Sequence, residues 1–227
     1  MATATATRPA SKQSPGGSNR RLLLWAGGAL IVVVALVIVF ALAGGDDQTT
    51  AVQVDDGSAA ISQINDVVID GTALPEFQET ETAQGRTAPQ VSGMGFDGET
   101  ITLLEPGTPT VIGFFAHWCP HCQAEVDELS RHLAATGLPA DVNVMAVSTA
   151  VDSEQGNYPP SAWFESEGWP TPVLTDDAES AAARSYGLSG FPFWAIVDAD
   201  GNLISRTAGG IGPDQLDAFI EVARAGG

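Results

Sequence analysis

Residues 109–115 form an apolar run, Cys119-Pro120-His121-Cys122 follows four residues later, and residues 120–136 read as an amphipathic helix. A run without alternation is what a strand buried on both faces requires. The helix carries Val126, Leu129 and Leu133 on one stripe and meets Gly137 as its stop signal. A buried strand that hands over to a helix within a few residues belongs to an α/β sheet covered by helices. This junction constrains the fold more than any other feature, and both cysteines of the chain lie in it.

The rest of the chain repeats the alternation. Residues 92–96 and 100–104 flank Asp97-Gly98, a hairpin signal. Residues 142–147 read as the next strand and 161–167 as a short helix after Pro159-Pro160, closing at Gly168. Residues 172–174 read as a short strand and 178–186 as a helix. Residues 193–197 and 203–206 form a second hairpin around Asp200-Gly201, and 214–225 a C-terminal helix. The plan is β-α-β followed by β-β-α with an inserted αβ segment. Asp198 through Asn202 superficially resembles the start of a calcium loop but lacks its glycine at position 6 and glutamate at position 12, which leaves the hairpin turn.

The flanks differ from this domain. Residues 1–21 are a polar tail expected to be disordered and cytoplasmic. Residues 22–43 contain no charge, and about 20 apolar residues suffice to cross a bilayer as a helix. Arg20 and Arg21 precede the segment and Asp46 and Asp47 follow it, so the positive-inside rule places the remainder outside the cytoplasm. A cleaved signal peptide is the competing reading, since Ala41-Leu42-Ala43 has the small residues of a cleavage site, but its apolar core is usually 7–15 residues. Residues 44–85 hold many acids and no base, and read as an acidic linker, partly ordered at most around Val67-Val68-Ile69. The domain proper is expected over 86–227.

The chain has 28 Asp+Glu against 9 Lys+Arg, a formal net charge of −19. After residue 21 only five arginines face all of the acids. Such a surface excludes nucleic acid as a partner, which needs a basic face. It favours solubility, and basic client proteins over acidic ones.

Two thiols at i and i+3 on a helix lie on one face, with a Cα separation near the ~5.5 Å of a disulfide. With no third cysteine, an intramolecular disulfide has only one form, Cys119–Cys122. The helix start presents free N–H groups and a positive dipole end to Cys119, which favours the attacking thiolate. His121 sits between the cysteines and can add to this by hydrogen bonding or charge. Glu125, one turn beyond Cys122, is a candidate for proton transfer, or else a solvated helix residue. Pro192, in Gly190-Phe191-Pro192-Phe193, enters a strand at a bend and is a candidate cis proline that would offer the backbone of Phe191 to an extended client. Trp118, Pro120 and Phe191 are the candidate client-contacting residues. Trp163 and Trp169 read as packing. Two other readings of the pair stay open. One is a copper- or zinc-handling site using the cysteines and a histidine, of which the chain has three. The other is a redox-inactive binding module with a structural disulfide.

With Trp118-Cys119-Pro120-His121-Cys122 and Gly190-Phe191-Pro192 in place, the chain resembles the thioredoxin superfamily, and within it the membrane-anchored, extracytoplasmic TlpA-like (redoxin) thiol–disulfide oxidoreductases. Ala88-Pro89, Asp97-Gly98, Tyr186-Gly187-Leu188 and Asp198–Gly201 add to the likeness. The resemblance implies a thioredoxin fold, with a central mixed sheet flanked by helices. It implies Cys119 as nucleophile, Cys122 as resolving thiol, cis Pro192 beside them, and Glu125 at the position of a functional glutamate. It also implies exported proteins as clients, a membrane redox partner that recycles the pair, and no cofactor beyond the Cys119–Cys122 disulfide. The chain departs from the pattern in three places. Gly113 stands where many thioredoxins carry a buried acid, so deprotonation of Cys122 falls to Glu125, water or the client. Phe191 is larger than the usual residue before the proline. Pro120-His121 is the dipeptide of DsbA-like oxidases, which leaves the direction of electron flow open.

Overall fold

The computed structural model describes residues 62–226. The expected tail (1–21), membrane anchor (22–43) and first part of the acidic stretch (44–61) lie outside the described residues. Among the described residues no helix is long and apolar enough to cross a membrane. Eight strands and four helices are described: β1 Val68–Asp70, β2 Gln90–Met94, β3 Thr100–Thr102, β4 Thr110–Phe115, α1 Pro120–Thr136, β5 Asn143–Ser148, α2 Pro160–Glu167, β6 Val173–Thr175, α3 Ala181–Ser185, β7 Phe193–Val197, β8 Leu203–Ala208 and α4 Gly212–Ala225.

The central sheet has the order β6-β5-β4-β7-β8. β4 pairs in parallel with β5 and antiparallel with β7, so the sheet is mixed with β4 at its centre. Every residue of β4 is buried, and its alternating side chains feed two cores. Val111 and Phe115 pack with α1, α2 and α4. Ile112 and Phe114 pack on the other face with α3 and the segment before β2. A smaller antiparallel sheet, β1-β2-β3, holds the first hairpin and touches the central sheet through a bridge between Gly95 and Leu174. This is a thioredoxin fold, with α2 and its preceding loop inserted between β5 and β6.

α1 forms where its sequence pattern puts it. Cys119 is the N-cap in extended conformation (φ −77°, ψ 120°), and Pro120 occupies the first helical position, where its missing N–H costs nothing. Val126, Leu129 and Leu133 are buried, each worth about 2 kcal/mol of apolar transfer. The helix ends at Gly137, whose φ of 84° is open to glycine, with its N–H on the Leu133 carbonyl. α3 starts three residues later than its apolar pattern indicates. Asp176 and Asp177 explain the delay: their carboxylates take the N–H groups of Ala182, Ala183 and Ala181 and so define the first turn. β8 runs to Ala208 because Phe193 pairs across to it.

Residues 62–85, the later part of the acidic stretch, run along the domain. Leu74 and Ala83 are buried. The N–H groups of Leu74 and Phe77 donate to the carbonyls of Ser185 and Gly187. Arg206 on β8, buried to 4% exposure, grips Glu81 through Nε and Nη2 at 2.9 and 2.7 Å. Its Nη1 donates to the carbonyls of Pro75 and Tyr186.

Candidate functional site

The cysteines sit where β4 delivers the chain to α1. The Cys119 N–H donates to the Ala116 carbonyl at 3.0 Å, closing the turn between strand and helix. Both cysteines are free thiols, and they differ in access: Cys119 is 7% exposed and Cys122 is fully buried. Burial pushes the Cys122 thiol far above its usual range. A backbone contact from Ala116 opposes this, while Cys119, through charge and a hydrogen bond, and the charge of Glu125 add to it.

Phe191–Pro192 is a cis peptide, and buried Pro192 precedes Phe193, which pairs with Phe114 near the end of β4. Phe191 packs edge-on against Trp118 with ring centroids 5.8 Å apart. These rings stand beside the cysteine turn. Pro120 and His121 are exposed, and among the described residues His121 makes no hydrogen bond to Cys119.

Glu125 is not a solvated helix residue. It is 5% exposed, and its carboxylate accepts the Trp194 indole N–H at 2.9 Å and the Ile211 N–H at 3.0 and 2.9 Å. Burial pushes this carboxyl above the usual range, against the hydrogen bonds from Ile211, Trp194 and Gly212, and the charge of Glu128 pushes the same way as burial. The backbone approaches closely here: a Cβ on Gly210 would stand 2.6 Å from Glu125 Oε2.

The sequence reading passed over two residues. His117, 1% exposed, has both ring nitrogens engaged: Nδ1 lies 2.8 Å from the Gly156 carbonyl, and Nε2 accepts the Asp152 N–H at 3.2 Å. The acceptor role of Nε2 leaves the proton on Nδ1. With the Trp118 indole donating to the Ala150 carbonyl at 2.7 Å, His117 ties the loop before α2 to the turn that carries Cys119. Its only sequence signal is its place two residues before Cys119. Trp194 is the second, and its partner Glu125 is 69 residues away, so no local pattern marks it.

Among the described residues no group of three His, Cys, Asp or Glu side chains is placed to hold a metal ion. His117 is committed to the loop, and His132 lies further along α1, paired with Asp217 of α4 at 2.9 Å. Trp163 is core, and Trp169 packs edge-on against Phe115. An open cleft of about 580 Å³ between the β2–β3 hairpin and α2 is lined by Phe96, Phe164 and Trp169 and by neither cysteine.

Fold and site together define a thioredoxin-like protein with a dithiol at the start of its first long helix. The profile of the redoxin family matches residues 71–220, and the chain belongs to that family. It is 29% identical over 118 residues to the thiol:disulfide interchange protein DsbE of Haemophilus influenzae, covering 51% of this chain and 60% of that one. It is 22% identical over 125 residues to the sporulation thiol-disulfide oxidoreductase A of Bacillus subtilis, covering 55% and 74%. The match thus spans three fifths of the length of the Haemophilus relative. Among solved structures, a thiol:disulfide interchange protein of the thioredoxin family from Chlorobium tepidum superposes with a TM-score of 0.51 at 21% identity, covering 63% of this chain and 99% of that one.

Proposed function

We propose that this protein is an extracytoplasmic thiol–disulfide oxidoreductase acting on exported proteins, held to the membrane through residues 22–43 and recycled by a membrane redox partner. The observation that carries the chemistry is the asymmetry of the two thiols: one keeps 7% of its surface exposed at a helix start, and the other is fully buried one turn behind it. In the reducing direction the Cys119 thiolate attacks a client disulfide. The Cys119–client bond forms, and the first client sulfur leaves as thiolate with the electron pair. Cys122 then loses its proton to Glu125 and attacks Cys119 Sγ. The second client sulfur leaves, the protein is left as the Cys119–Cys122 disulfide, and two electrons have passed to the client. The oxidising direction is the same sequence reversed. Pro192 and Phe191 line the approach beside Trp118, and Pro120 and His121 form the exposed rim. The names of the curated relatives support this reading of the dithiol.

The test is turnover. Cys119→Ser abolishes insulin-disulfide reduction by the reduced protein, or refolding of scrambled ribonuclease by the oxidised one. Undiminished turnover in that variant refutes the assignment. Cys122→Ser, by contrast, keeps the first step and accumulates the mixed disulfide with the client.

A further inference from the structure

Gly113 and Trp194 face each other as a cross-strand pair of β4 and β7. A Cβ on Gly113 would lie 3.0 Å from Trp194 Cη2 and 2.6 Å from the Phe115 ring, so the two aromatic rings fill the space that a side chain at 113 would need. Trp194 is fully buried and stands edge-on to Phe115 at 5.4 Å. Its indole N–H therefore points from the sheet toward α1, and the acceptor it meets is Glu125 Oε1. The opposite side of the carboxylate is closed by the Ile211 N–H and by Gly210, which leaves no room for a Cβ. A buried acid one helical turn from the resolving cysteine, its charge bearing on that thiol, is thus supplied from the helix rather than from β4, and the missing side chain at 113 makes room for the indole that holds it.

We propose that Trp194 is a positioning residue for the resolving step: its indole N–H, admitted by Gly113, fixes the Glu125 carboxylate and keeps it in the ionised form that takes the Cys122 proton. This deepens the oxidoreductase reading above and rests on it. A hydrogen bond donated to a carboxylate favours the charged form, and here it opposes the burial that favours the neutral one. The titratable groups bearing on Glu125 from its own helix are Cys122 and Glu128. From β7 comes the uncharged indole and from the turn before α4 come backbone N–H groups, while Asp214 of α4 is exposed. Loss of the indole donor therefore acts on the ionisation of one group.

The experiment compares wild type, Trp194→Phe, Glu125→Gln and the double variant. The rate of mixed-disulfide resolution is followed against pH, and the Trp194 indole N–H resonance of the wild type is titrated by NMR. The resonance should move with the same midpoint as the acid limb of the rate profile, and that movement should vanish in Glu125→Gln. Trp194→Phe should shift the acid limb to higher pH, slowing resolution about tenfold below it, as expected for a lost hydrogen bond to a charged group, while rates above it converge with wild type. The double variant should be no slower than Glu125→Gln. The proposal is overturned if the indole resonance ignores pH across the limb, if the Trp194→Phe and wild-type profiles superimpose, or if the double variant multiplies the two single losses. Wild type that shows no turnover overturns the oxidoreductase reading instead, and the indole titration, which needs no turnover, still decides whether Trp194 senses Glu125.

Discussion

His117 shows how much one side chain near the thiols is asked to hold. Both ring nitrogens are bonded to the loop before α2, and its own carbonyl accepts the Gln123 side-chain amide at 2.9 Å. Replacing it with alanine removes two part-buried hydrogen bonds, each worth about 1 kcal/mol, so His117→Ala should lower stability by about 2 kcal/mol in urea unfolding. The same variant should make Cys119 alkylate faster, because the loop over the turn loosens; an unchanged alkylation rate would show that the loop does not guard the thiol. The two cysteines were legible in the sequence because they are the only ones and sit at i and i+3 where an apolar strand hands over to a helix. Glu125 was legible as one turn past Cys122, but its burial was not, because the indole and backbone groups that enclose it come from 69 and 86 residues away. For His121 the sequence offers proximity to both thiols, and the fold leaves it exposed on the rim.

At the scale of elements, α1 positions the chemistry and its buried stripe anchors it. Leu129 is fully buried in the core that also contains Cys122, so Leu129→Ala should cost about 3 kcal/mol from lost transfer and a residual cavity, measured as a drop in the denaturation midpoint with an unchanged slope. The strands of the central sheet were readable from their apolar runs. The start of α3 was not, because its position is fixed by the carboxylates of Asp176 and Asp177 rather than by periodicity. The hold of residues 62–85 on the domain was hidden for a related reason: Leu74, Phe77 and Ala83 are isolated apolar residues in a polar run, and isolated contacts carry no period.

For the molecule as a whole, the pair Arg206–Glu81 joins the acidic stretch to the edge of the central sheet. Breaking a buried pair by removing one partner leaves an uncompensated charge, so Arg206→Ala should destabilise by about 3 kcal/mol or more and expose residues 62–85 to protease. Burial works to raise the Glu81 carboxyl, but Arg206 together with the backbone N–H groups of Ala83 and Thr82 outweighs it, and the group lies below its usual range. A depressed carboxyl stabilises above its unfolded-state pKa, and that contribution is lost as pH falls through the folded value. Glu125 and Asp176 have the opposite sign: burial raises both, so the folded state holds their protons more tightly and stability falls as pH rises through the raised values. Unfolding at mildly acidic and at neutral pH should therefore show the wild type more stable at the lower pH, short of the range where Glu81 protonates. That gain should shrink in Glu125→Gln. An equal gain in both would remove Glu125 from the account.

The central claim is that one thiol meets the client and the other waits behind it. Limited alkylation of the reduced, folded protein with iodoacetamide, followed by mass mapping of the two cysteines, tests it most directly. Modification of Cys119 well ahead of Cys122, with Cys122 reacting at a comparable rate only after unfolding, is the result the structure predicts. Equal labelling of the two, or labelling of Cys122 first, would contradict it.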